Sequence, residues 1–228
     1  MNIAIFGDSY AEKNRMSNQS SWFELLEEHG HQVTSFGEGG SSVVYSASLI
    51  EQHADKFDFL IWAVTNPPRM SIQIDEKPNV LHFTQGNSHS SNKFRSSETK
   101  NKINAVEQYF KYLLDFQDQD LIASALVNYM MAKHSNLMII PCFHDPLRLD
   151  FNLFVLCEKE INYYFPGWDL PEFFETYRDM RRCHLSLENN KILADLIAKQ
   201  LKPGIFQADY NDFVMNPSAE STLYFLKR

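Results

Sequence analysis

Residues 2–10 read NIAIFGDSY. A short, mostly apolar run passes directly into Gly7, Asp8 and Ser9. Such a run, bounded by a turn residue, predicts a β-strand over 2–7. The glycine frees the backbone, and an Asp or Ser caps or hydrogen-bonds the turn that follows. A hydroxyl nucleophile set at the mouth of a sheet gives the same pattern. These nine residues alone leave both readings open.

The next sixty residues settle the fold class. SSWFELLEEHG (20–30) predicts a helix with serine caps, an apolar face at Trp22, Phe23, Leu25 and Leu26, and a stop at Gly30. Residues 31–40 predict a second strand ending in glycines, and 41–53 a second helix. FDFLIWAVT (57–65) is apolar nearly throughout, which suits a strand covered on both faces. Strand–helix alternation at this spacing predicts right-handed βαβ units. The expected fold class is α/β: a three-layer α/β/α sandwich with a parallel sheet of four or five strands in a flavodoxin-like arrangement.

Beyond residue 66 the regularity breaks. Residues 67–102 are polar, with one short strand near 80–83 and a Ser/Asn-rich half that reads as a mobile loop. Residues 103–133 predict one or two helices, 136–143 a fourth strand, and 186–201 an amphipathic helix. Between them, 144–178 is long and rich in aromatics. The tail 203–228 reads as loop, with a short strand at 221–228. The expected organisation is one domain over 1–202 with insertions at 67–102 and 144–178, followed by that tail.

Bulk properties narrow the function. A chain of 228 residues carries one good core. With 29 acidic against 21 basic residues, the net charge of −8 disfavours a nucleic-acid partner. The three cysteines, Cys142, Cys157 and Cys183, have no CxxC spacing, so reduced thiols and no zinc or other metal site are expected. No apolar run is long enough to cross a bilayer, and no membrane partner is expected. No signal peptide is evident, which points to the cytoplasm; a chain built into a larger particle such as a virion would look the same. Nucleotide motifs (GxxxxGK[ST], GxGxxG) are absent, and no cofactor is expected.

In an open parallel sheet, ligands bind beyond the C-terminal strand ends. Those ends carry Gly7, Asp8 and Ser9, then Gly37, Glu38, Gly39 and Gly40, then Thr65 and Asn66, then His144 and Asp145. His184 stands just ahead of the last helix, whose cap is Ser186. FGDSY at 6–10, the glycine-rich turn, Asn66 and this histidine, in that order, resemble the SGNH, or GDSL-like, hydrolase family. The resemblance covers about residues 1–66 and 180–201, and the strand at 136–143 between them. It implies a serine esterase with Ser9 as nucleophile and His184 as its base. It also implies an oxyanion hole built from the N–H of Ser9, the N–H of Gly40 (Gly39 is the nearby alternative) and the side-chain amide of Asn66. By itself Asn66 also reads as a turn residue ahead of Pro67 and Pro68.

One position departs from the family's pattern. The acid that orients the histidine normally lies three residues before it, where this chain has Arg181. A guanidinium cannot accept the imidazole N–H, and its charge opposes the imidazolium. Asp179 folding back, a backbone carbonyl, or Asp145 reaching across could replace it. Loss of catalysis, with the fold retained as a binding module, is the fourth reading. Tyr10, Arg69 and His144 are the candidate substrate contacts. Arg69 also reads as a surface ion pair, and His144-Asp145 as a turn before Pro146. The expected partners are an ester of a small molecule or glycan, and a protein docking on the aromatic C-terminal tail.

Overall fold

Alternate residues of the first strand, β1 (Asn2–Gly7), define the two sides of the molecule. Ile3 and Ile5 pack with Trp22, Phe23 and Leu26 and with Leu193, Ala194 and Ile197. Ala4 and Phe6 point the other way, into Val43, Ala47 and Ile50 and into Val127 and Met130. A strand apolar on both faces must be covered twice, and this is the three-layer sandwich that the alternation predicts. The computed structural model describes residues 1–13, 21–65, 68–75, 77–84, 93–94, 96–142, 162–163, 184–185 and 187–214.

One layer holds α1 (Trp22–Leu25, continued by a 3₁₀ turn, Leu26–His29) and α5 (Leu187–Gln200). The opposite layer holds α2 (Val43–His53) and α4 (Phe116–Lys133). Between them lie β1, β2 (Gln32–Ser35), β3 (Phe59–Val64), β6 (Leu137–Pro141) and β9 (Gly204–Ile205). The strand order is β2-β1-β3-β6-β9 and every pairing is parallel. That order places the switch in winding direction between β1 and β3, where a doubly wound sheet opens its crevice. No helix among the described residues is long and apolar enough to cross a membrane.

Three elements differ from the expectation. The polar stretch after β3 holds a second strand: β4 (Arg69–Gln73) pairs antiparallel, in a hairpin, with β5 (Val80–Thr84), the strand expected near 80–83. Ile74, Leu81 and Phe83 of this segment bury against Ile103 and Val106 of α3 (Ser97–Tyr112), giving a small separate core. The tail is not all loop: Gly204–Ile205 adds the fifth strand beyond residue 202, and Phe206 N–H donates to Ile139 O at 2.8 Å. His184 does not open the last helix directly. It lies in the two-residue strand β8 (His184–Leu185), paired antiparallel with β7 (Asn162–Tyr163). Residues 103–133 resolve into the end of α3 and all of α4, with Asp115 capping α4 through Gln117 N–H at 2.8 Å. The expected strand at 221–228, and all of 144–178 but 162–163, lie outside the described residues.

Candidate active site

Gly7 ends β1 where the sheet leaves no room for a side chain. Its φ is +146°, and a Cβ there would stand 2.4 Å from the carbonyl oxygen of Ala63, its partner on β3. Only glycine lets β1 hold this register to its last residue. The chain then turns at Asp8, with Ala11 N–H bonded to Asp8 O at 2.9 Å. Asp8 and Tyr10 are buried, and Ser9 between them is half-buried.

The Asp8 carboxylate is wholly buried and holds the turn from below. Its Oδ1 accepts from Tyr10 N–H at 3.1 Å. Its Oδ2 accepts from Thr65 Oγ1 at 2.8 Å and from Arg69 Nη1 at 2.7 Å. A charge this deep is tolerated only when paired and hydrogen-bonded, and here both conditions hold. Thr65 follows β3 and Arg69 begins β4, so three strand ends meet at one carboxylate. Cys142, just past β6, lies nearby: burial, and then the charge of Asp8, push its thiol pKa up, which makes it a buried neutral thiol.

The glycine loop after β2 is tied to the same turn. The Gly7 carbonyl accepts from Glu38 N–H at 3.1 Å and from Ser41 Oγ at 2.9 Å. Gly40 adopts φ +80°, a left-handed conformation that favours glycine. Ser42 then caps α2 by accepting from Tyr45 N–H at 3.2 Å. Ser9 and Gly40 thus stand on two turns joined through one carbonyl at the C-terminal edge of the sheet.

A second link joins the Ser9 turn to the far end of the chain. Tyr10 O accepts from Trp22 Nε1 at 2.9 Å. Trp22 N–H, at the first position of α1, donates to Asn190 Oδ1 at 3.0 Å. Asn190 Nδ2 donates to Leu185 O at 3.1 Å. All four residues are buried or nearly so. The residue after Ser9 and the residue after His184 are therefore joined by one buried chain of hydrogen bonds. Nothing in the local sequence pattern marks Trp22 or Asn190 for this task.

The remaining candidates separate as follows. Tyr10, read as a substrate contact, is 4% exposed and packs in the core beside Trp22. Arg69, read as a substrate contact or as a surface ion pair, is largely buried, and its guanidinium pairs with Asp8. Asn66, His144, Asp145, Asp179, Arg181 and the side chain of His184 lie outside the described residues. Sequence reading missed Ser71 and His82, which stand beside the glycine loop on the hairpin. The signal was the alternation Met70, Ile72, Ile74 against Ser71 and Gln73, a strand pattern with one polar face.

No protein-family model matches the sequence, and no curated protein matches it. Among solved structures, the chain is similar to a protein described as lipolytic and of the G-D-S-L family from Desulfitobacterium hafniense DCB-2. Identity is 14%, coverage 87% of this chain and 98% of that one, and the TM-score 0.44. It is similar to the acetyl xylan esterase AlAXEase at 12% identity, covering 86% of this chain and 96% of that one, with a TM-score of 0.40. It is similar also to Axe2, an acetylxylan esterase from Geobacillus stearothermophilus, at 10% identity, 99% and 92% coverage, and a TM-score of 0.35. At identities and TM-scores this low, the fold rests on the sheet order and not on these likenesses.

Proposed function

We propose that this chain is a serine esterase or acyl hydrolase acting on an ester of a small molecule or carbohydrate, with an O-acetyl ester as the first candidate. The observation that carries the reading is the buried link Tyr10–Trp22–Asn190–Leu185, which ties the turn bearing Ser9 to the strand bearing His184. The ordered set of Ser9, Gly40, Asn66 and His184 in the sequence supports the same chemistry.

In this reading Ser9 Oγ attacks the ester carbonyl while its proton passes to His184. The carbonyl oxygen becomes an oxyanion held by the N–H groups of Ser9 and Gly40 and by the Asn66 amide. One such donor is worth about 2.7–4 kcal/mol in the transition state. Collapse breaks the bond to the alcohol, which leaves with the proton from His184. Water then attacks the acyl-serine by the same route in reverse, and the acid departs. Asp8 does not touch the substrate: it fixes the backbone from which Ser9 projects. Asp179 or a backbone carbonyl orients the imidazole in place of the acid that Arg181 displaces.

Hydrolysis of p-nitrophenyl acetate and covalent labelling by a fluorophosphonate test the reading. Ser9→Ala is expected to abolish both, with the circular dichroism spectrum unchanged. If Asp179 orients the ring, Asp179→Asn is expected to cost about four orders of magnitude in turnover, because the ring then takes the wrong tautomer. If a carbonyl does so, the same change costs little. Activity surviving in Ser9→Ala rules the serine mechanism out. A wild type inert to both reagents favours the rival reading, a binding module of the same fold, to which Arg181 points.

A further inference from the structure

The hairpin β4–β5 lays its polar face on the glycine loop. A Cβ added to Gly40 would meet His82 Cβ at 3.4 Å, so His82 sits directly on that residue. The imidazole of His82 bridges outward from there. Nε2 lies 3.0 Å from Glu38 Oε2, two residues before Gly40. Nδ1 lies 2.8 Å from Ser71 Oγ, directly across the hairpin. Ser71 Oγ in turn accepts from Ser42 N–H at 3.1 Å and lies 3.1 Å from Ser42 Oγ, two residues after Gly40. The loop is therefore held at both ends by one ring.

The free end of Glu38 is fixed as well. Tyr45 Oη donates to Glu38 Oε1 at 2.8 Å, and its ring meets His82 edge-on with centroids 5.0 Å apart. Burial, then the bond to Glu38, push the Tyr45 hydroxyl up to about 12, so it remains a donor. The arrangement superficially matches a serine–histidine–acid triad. But Ser71 Oγ already lies within hydrogen-bond reach of two Ser42 atoms and His82, so it is a structural hydroxyl and not a poised nucleophile.

We propose that His82 is a positioning residue for the oxyanion hole: bridging Glu38 and Ser71, it clamps residues 38–42 so that the Gly40 N–H faces the developing oxyanion. The proposal rests on the esterase reading and deepens it. An oxyanion donor works only if it is fixed before the reaction begins. A displacement of about 1 Å from a change outside the chemistry can cost as much as 10²-fold.

The test compares wild type, His82→Ala and His82→Gln with p-nitrophenyl acetate, and follows the Gly39 and Gly40 amide resonances by NMR. His82→Ala is expected to lower kcat roughly 10- to 100-fold with KM changed less than about threefold, since the lost contact matters in the transition state. His82→Gln, whose amide can still donate to Glu38, is expected to recover most of that loss. The Gly40 amide resonance should broaden or shift in the alanine variant and return in the glutamine one. Wild-type kcat in His82→Ala, or a change in KM alone, overturns the proposal. Should His82→Ala fail to fold, Glu38→Ala cuts the same bridge at its exposed end and carries the same expectation. A wild type that neither hydrolyses nor labels overturns the esterase reading and the catalytic part of this one. The amide resonances then still decide whether the clamp exists.

Discussion

The hairpin holds the end of β1 and the end of β2 each by a nitrogen of one of its side chains set against a carboxylate, in different surroundings. At β1 the contact is Arg69 with Asp8, the guanidinium 12% exposed and the carboxylate fully buried. At β2 it is His82 with Glu38, where the imidazole is 11% exposed but the carboxylate 49%. The two carboxylates differ in burial. A buried carboxylate that loses its cation has no water to replace it, whereas a half-exposed one is solvated at once. The first contact therefore governs whether the turn exists, and the second how well the loop is placed.

That contrast can be broken most sharply at Arg69. Arg69→Ala takes the guanidinium from the buried Asp8 carboxylate, which keeps the bonds from Thr65 Oγ1 and Tyr10 N–H, and should cost about 3–5 kcal/mol in urea unfolding. Adding Asp8→Asn to that variant should restore part of the loss, because the stranded charge is gone. A loss below about 1 kcal/mol in the single variant would put Asp8 in the same class as a surface group. Next in size is Glu38→Ala, expected to change stability by less than about 1 kcal/mol while still lowering kcat. A stability loss as large as that of Arg69→Ala would erase the distinction.

The smallest effect belongs to an ion pair the hairpin does not touch. Glu51 on α2 bonds Lys133 and His134 at the end of α4; Glu51 and Lys133 are exposed and His134 is half-buried. The Lys133 contact holds the Glu51 carboxyl below its usual 4.5. A carboxyl whose folded pKa is lowered contributes stability above its unfolded value and loses it as pH falls through the folded one. The Tm of Glu51→Gln should therefore sit slightly below wild type at pH 7, and the gap should close on titration below 4.5. A gap that widens in acid would contradict the sign.

Legibility in the sequence followed locality. β1, β3 and β6 stood out because both their faces are buried, which writes a continuous apolar run. β9 is two residues long and has no pattern to read. In the hairpin β5 was legible near 80–83, but β4, with one polar face amid a polar stretch, looked like loop. Ser9 and Gly40 are candidates because they follow strand ends. The pairings that hold those turns are not legible: Arg69, itself a candidate substrate contact, lies 61 positions from Asp8, and His82 44 from Glu38. Pairing at that range leaves no mark on either segment.

The Trp22–Asn190 bond spans 168 residues. The first three strands and two helices can form from the opening 64 residues, each βαβ crossover closing a short loop. The bond to Asn190 cannot close until α5 has been synthesised and docked against α1. On a growing chain, the first four strands of the sheet and the serine turn are thus available long before the histidine strand is registered to them. A nascent chain stalled ahead of residue 187 would carry the scaffold of the site with its two halves still unjoined.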